Sequence, residues 1–238
     1  MADMNSQETE DKITRRIDEL SERVTHYLEV FDLADVLTGP SRYFHEQTLS
    51  RRKQFGTPGE AVHDTFSLQL LYATLTAWGL HQGGASDRKL EEFEKFLTSL
   101  HQCAKDLDDL QSLHIKDMPT GDESSPIISR LWGFIQQVDV SATKSEIVAG
   151  SKVLHHLLPN LVPPIDRKYT SEFFSWHNRM QGDQRKMFED VYPRLVVIAR
   201  RLAPKESEYI GRSRHKTLAK VVDNAIVGFI IDKKRKAR

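Results

Sequence analysis

Apolar residues recur at intervals of three and four along most of this 238-residue chain, and no stretch sustains the two-residue alternation with hairpin turns that a half-buried strand requires. Ile13, Ile17, Leu20, Val24, Leu28 and Phe31 fall on one face of an amphipathic helix that starts near Asp11 and is ended by Gly39-Pro40. A second short helix is expected from Ser41 to Phe55, up to the turn Gly56-Thr57-Pro58-Gly59. Phe66, Leu68, Leu70, Leu71, Leu75, Trp78 and Leu80 crowd the stretch from Glu60 to His81, which predicts a largely buried central helix ending at Gly79 or at Gly83-Gly84. Ser86 is placed to cap the next helix, carrying Leu90, Phe93, Phe96, Leu97 and Leu100, and a weaker helix runs from Leu107 to Met118. Ser125-Pro126 starts another through Ile135, since a proline in the first turn lacks only an N–H that would be unpaired there. Further helices are predicted from about Ser141 to Leu158, from Asp166 or Thr170 through Trp176, from Asp183 to Leu202 with a kink at Pro193, and from His215 to Ile231. The fold class is therefore all-α: a compact multi-helix globular domain of eight to ten helices over residues 1–238, with residues 119–126 as a candidate sub-boundary.

Charge distribution narrows the partners. Lys+Arg and Asp+Glu are equal at 34 each, but the amino end is rich in acid whereas residues 232–238 form a basic tail, so a basic face is available for a polyanion. The single Cys103 excludes an intramolecular disulfide and, by itself, a thiolate zinc site, which fits a reducing compartment. No apolar run approaches the roughly 18 residues of a membrane span and the polar amino end lacks a signal-peptide core, so a soluble, cytoplasmic protein is expected. The sequence carries no signal for an oligomeric state.

The most informative chemistry lies between Gly150 and Thr170. Gly150-Ser151-Lys152-Val153, with Val162-Pro163-Pro164-Ile165-Asp166 downstream, resembles the catalytic segment of the helix-hairpin-helix DNA glycosylases, although Ile147-Val148-Ala149 stands where the first hairpin glycine would be. The resemblance implies a glycosylase-like fold, double-stranded DNA as partner and excision of a modified base. It puts Lys152 in the place of the imine-forming lysine, Asp166 in that of the aspartate, and Gly150 and Ser151 at a phosphate-binding hairpin turn. A carboxylate stabilises oxocarbenium character on the sugar, and a lysine of depressed pKa attacks the anomeric carbon. The target base has to leave the duplex stack, which costs a few kcal/mol, and Trp78, Trp132 and Tyr169 are candidates to line its pocket. A plain reading stands beside this one: Lys152 on a solvated face and Asp166 as a helix N-cap. A second resemblance rests on Ala77-Trp78-Gly79-Leu80, the same central stretch and Lys220-Val221-Val222-Asp223-Asn224-Ala225-Ile226-Val227-Gly228. These blocks are similar to those of a family of prokaryotic all-α proteins; that implies a single intracellular unit and no particular activity.

Other residues extend the candidate site. Asp223-Asn224 interrupts an apolar helix, and burying such groups unpaired costs several kcal/mol, so they either face a polar cleft or pair with an arginine such as Arg167. Arg212, Arg214, His215, Lys216 and Lys220 lead into that helix, whose amino end would suit phosphate; Arg167, Lys168 and the basic tail are further phosphate-contact candidates, and Arg42, Arg51, Arg52 and Lys53 form another basic run. His155-His156, neighbours on a helix and so about 100° apart, do not converge on one metal ion, and only His177 would complete a site. No nucleophile elbow, phosphate-binding glycine loop or His-Glu-x-x-His motif is present, and no cofactor or metal is expected. Two functions follow: a DNA-binding protein of glycosylase-like architecture, or a non-catalytic helical interaction protein in which the same residues cap and solvate.

Overall fold

In the computed structural model of the chain, residues 2–80, 90–142, 146–176, 183–211 and 214–237 are described, the side chains of residues 2–6 excepted, and every regular element among them is a helix. The apolar face expected from Asp11 to Phe31 is shared by two helices, α1 (Ala2–Glu22) and α2 (Val24–Ala34), because Arg23 leaves helical geometry with φ −116° and ψ 24°. α2 ends on Asp35, which is left-handed, and Gly39-Pro40 opens the next helix instead of closing this one. That helix, α3 (Gly39–Arg52), carries the proline in its first turn. Thr57 then caps α4 (Pro58–His63) in a reciprocal capping box with Glu60.

The run from Glu60 to His81 is not one central helix. Asp64 breaks it at φ −90° and ψ 109°: its carboxylate accepts from the backbone N–H and hydroxyl of Ser67 and is held by Arg51, so α5 (Thr65–Leu75) starts anew. A wide turn from Thr76 to Leu80 follows, left-handed at Gly79 with φ 79°, and Phe66 stands on the surface. Gly83-Gly84 and Ser86 lie outside the described residues.

The chain continues through α6 (Phe93–Gln102), α7 (Ala104–Leu110) and two short 3-10 turns into α8 (Ser125–Gln137), with Pro126 in its first turn. Next come α9 (Glu146–Leu157), the four-residue α10 (Thr170–Phe173), α11 (Gln184–Leu202) with Asp183 as its cap and Pro193 inside it, and α12 (Glu206–Tyr209). Thr217 caps the closing helix α13 (Leu218–Lys236). Val24, Leu71 and Phe96 from before Pro119 belong to the same buried cluster as Trp132, Leu154 and Ile226 from after Pro126.

The most enclosed elements are α9 and α13, in which Ile147 through Leu157 and Leu218 through Ile230 are buried without interruption. Each large apolar side chain so buried contributes about 1.5–3 kcal/mol relative to exposure. α13 lies against α2 at backbone distance, and Gly228 makes this possible: a Cβ there would stand 1.9 Å from the carbonyl oxygen of Tyr27. Among the described residues of the basic tail, those up to Lys236 are helical. Lys233 to Lys236 form the last turn of α13, where cations suit the helix dipole, with Lys234 on Glu172 and Lys236 on Asp232. Among the described residues no helix is long and apolar enough to cross a membrane.

Candidate functional site

Burial of α9 from Ile147 to Leu157 carries Lys152 into the protein, where its side chain lines a cleft of about 310 Å³. Phe31, Val36 and Leu37 form one wall, Trp78 another, and Asp166 and Tyr169 the edge, while Lys220 and Asp223 enter from α13. Lys152 is only 6% exposed. Its Nζ stands 3.9 Å from Asp166 Oδ2 and 5.7 Å from the centre of the Trp78 ring, and no described group accepts a hydrogen bond from it. Burial pushes this amine below the usual lysine range; Asp166 and Asp223 oppose the shift and Lys220 reinforces it.

Asp166 divides its two oxygens between structure and cleft. Oδ1 accepts the backbone N–H groups of Lys168 and Tyr169 at 2.7 and 3.1 Å, and the Asp166 N–H donates to Thr170 Oγ1 at 3.0 Å. Oδ2 is the atom turned to Lys152. The extended segment before it is pinned from three sides: Ser151 Oγ accepts from the Ile165 N–H at 3.0 Å, His155 Nδ1–H donates to the Val162 carbonyl at 2.9 Å, and Tyr192 donates to the Leu161 carbonyl at 3.0 Å. Buried hydrogen bonds thus hold the segment that carries Asp166 against α9, the helix that carries Lys152.

Trp78 is fixed in the same way. Its Nε1–H donates to the Ser41 carbonyl at 3.1 Å, Ser41 Oγ donates to the Ala77 carbonyl at 2.8 Å, and the left-handed Gly79 turns the chain away. Behind the indole lies a pair of histidines bonded ring to ring. His156 Nδ1–H donates to the Lys152 carbonyl at 2.7 Å, which leaves its Nε2 to accept from His45 Nδ1–H at 2.9 Å. Burial, together with the neighbouring rings and Lys220, holds His45 and His155 well below the usual histidine range, and burial brings His156 down to about 4. All three are neutral in this arrangement. On α13, Lys220 Nζ donates to Asp223 Oδ2 at 2.6 Å and lies 5.2 Å from the Trp78 centroid; burial raises Asp223, and Lys220 opposes that rise.

Several expected positions fall elsewhere. Gly150 and Ser151 are not a phosphate-binding hairpin turn: both are buried inside α9, a Cβ at Gly150 would lie 2.8 Å from Ile135, and Ser151 is the clamp on Ile165. Trp132 is a core residue against Phe188 and lies off the cleft, because α8 turns it inward. Asn224 is fully buried and bonded to His215, one position round the helix from the cleft. Asp223 pairs with Lys220 and not with an arginine. Arg214 is engaged by Asp35, and Lys216 lines a separate groove with Lys116 and Glu206. In the first basic run, Arg42 is paired with Glu46, Arg51 with Asp64, and Arg52 with the Leu157 carbonyl. Arg167 and Lys168 are exposed beside Asp166, and Lys168 lies over the Tyr169 ring. His177 and Arg212 lie outside the described residues.

Ser41 and the wall Phe31, Val36 and Leu37 join the site without having been singled out as part of it, and Lys220, expected in a phosphate-facing basic run, instead lines the cleft paired with Asp223. Lys220-x-x-Asp223 inside an apolar helix was the available signal, since an i, i+3 pair shares a face. Chemically, the cleft offers a desolvated amine, a carboxylate beside it, and an indole and a phenol able to hold a flat ring. Comparison with protein-family models, with curated proteins and with solved structures finds no match to this chain.

Proposed function

We propose that the cleft performs amine chemistry on a nucleotide, in a DNA-binding protein of glycosylase-like function. One observation carries the reading: Lys152 is desolvated, has no hydrogen-bond acceptor among the described residues, and faces the free oxygen of Asp166 in a cleft with aromatic walls. In the proposed step the Lys152 amine attacks C1′ of an extruded nucleotide. The C1′–N bond breaks, its electron pair leaves with the base, and the base takes the proton that the amine gives up, relayed through Asp166 Oδ2. The C1′–O4′ bond then opens, O4′ takes a proton from water, and a protonated imine joins Lys152 to C1′. Asp166 offsets the positive charge that builds on the sugar. Trp78 and Tyr169 supply stacking faces, and Arg167 and Lys168 supply cations for backbone phosphates.

Borohydride trapping on duplexes carrying abasic sites and modified bases tests this. The expected result is a covalent adduct lost in Lys152→Ala and weakened in Asp166→Asn, with binding that falls steeply as salt rises. No adduct and no salt-sensitive binding would overturn the reading. A second reading, a non-catalytic interaction protein, is favoured by the exposure of Leu33, Val36 and Tyr43, of which Val36 lines the cleft, and it predicts partner binding that Lys152→Ala leaves intact.

A further inference from the structure

Two lysines and two carboxylates share the cleft, and they are not paired alike. Lys220 and Asp223 are three residues apart on α13, with side chains 6% and 7% exposed, and meet at 2.6 Å. Lys152 and Asp166 stand 3.9 Å apart, too far for a hydrogen bond, and Asp166 Oδ1 is already taken by two backbone N–H groups. Both ammonium groups look onto the same indole, at 5.7 and 5.2 Å from its centre. The asymmetry has a simple origin. A carboxylate as buried as Asp223 requires a cation, and the helix supplies one from its own preceding turn.

We infer that Lys220, clamped on Asp223 beside the Trp78 ring, is a positioning residue that keeps Asp223 from pairing with Lys152 and so leaves Lys152 the free nucleophile of the cleft. The inference rests on the reading of Lys152 as a nucleophile. Every charged or titratable group around Lys152 fits it: Asp166 and Tyr169 at the edge, His155 and His156 on its own helix, His45 behind them on α3, and Lys220 and Asp223 on α13. The three histidines are neutral, so Asp166, Asp223 and Lys220 set the local field. Without Lys220, Asp223 has Lys152 as its remaining buried cation, and a buried pair between them holds the amine protonated.

Competitive labelling with acetic anhydride across a pH series, read by mass spectrometry for Lys152 relative to the exposed Lys53, measures this without DNA. Lys220→Gln is expected to move the midpoint of Lys152 labelling upward by about one pH unit or more, and Lys220→Arg to leave it in place. The double variant Lys220→Gln with Asp223→Asn, which buries no unpaired charge, is expected to return the midpoint to the wild-type value and decides the matter if the single variant does not fold. An unshifted midpoint in Lys220→Gln, a shift in Lys220→Arg as large as that in Lys220→Gln, or a raised midpoint in the double variant overturns the inference. Because the labelling involves no substrate, failure of the nucleotide chemistry shows separately, as absence of a borohydride adduct.

Discussion

Lowering the pH from about 7.5 to about 5.5 is expected to remove roughly 4 kcal/mol of folding stability through His45, His155 and His156 alone. Each is fully or almost fully buried, neutral, and held below its unfolded value, with His156 at about 4. The sign follows from proton counting. In the unfolded chain each ring takes up a proton near pH 6.5, whereas in the folded protein it does not, so the unfolded state binds more protons as the pH falls. Stability is complete above the unfolded value and is lost progressively below it, down to the folded values. Over those two pH units one such histidine costs about 1.4 kcal/mol, and three cost about 4, a large share of a typical stability of about 5–15 kcal/mol. His215, also lowered chiefly by burial, acts in the same direction. The geometry supplies the barrier to protonation, because His156 Nε2 already accepts from His45 and Nδ1 already donates to the Lys152 carbonyl. Urea unfolding at a series of pH values measures the effect, and His156→Phe is expected to remove about 1.4 kcal/mol of the loss over the interval. A stability that changes by less than about 1 kcal/mol over the interval would refute the assignment of these rings as buried and neutral.

Other outcomes follow from packing and from the clamp on the cleft. Gly228→Ala drives a Cβ into the Tyr27 carbonyl oxygen and is expected to cost about 3 kcal/mol or more by denaturant unfolding, since two backbones rather than a flexible side chain have to part. Ser151→Ala orphans the buried Ile165 N–H, which costs about 1–3 kcal/mol, and it frees the segment carrying Asp166. Borohydride adduct yield is therefore expected to fall even though Lys152 is untouched. Trp132→Ala is expected to lose about 3–5 kcal/mol of stability, whereas Trp78→Ala costs less and instead weakens ligand binding, as measured by fluorescence titration.

The helical class was legible because the three-and-four spacing runs through most of the chain, and Ser125-Pro126 and Asp183 stand where the helices they were expected to start do open. The breaks at Arg23 and Asp64 were not. The apolar pattern continues across both, and Asp64 ends α4 through bonds to Ser67 and Arg51 that a linear pattern does not display. Asp223 was legible as a residue of a polar cleft or a buried pair, but its partner was not an arginine: it is Lys220, one turn earlier on α13, whose place in a basic run suggested a phosphate or solvent instead. At the site, Lys152 and Asp166 come from one stretch and line one cleft, but Gly150-Ser151, whose spelling suggests a hairpin turn, lies mid-helix, because close packing against Ile135 uses the same glycine. Of the aromatics expected to line a pocket, Trp78 and Tyr169 do line the cleft, whereas the wall formed by Phe31, Val36 and Leu37 reaches it only through tertiary packing, for which short-range spacing holds no signal.

Mapping the site of the borohydride adduct tests the central claim most directly. The purified protein is trapped on an abasic-site duplex, digested, and the modified residue located by tandem mass spectrometry. The account predicts the mass of a reduced sugar adduct on Lys152 and a loss of trapping in Lys152→Ala with the fold intact by circular dichroism. An adduct found on another lysine or on the amino terminus, or trapping unchanged by Lys152→Ala, would contradict it.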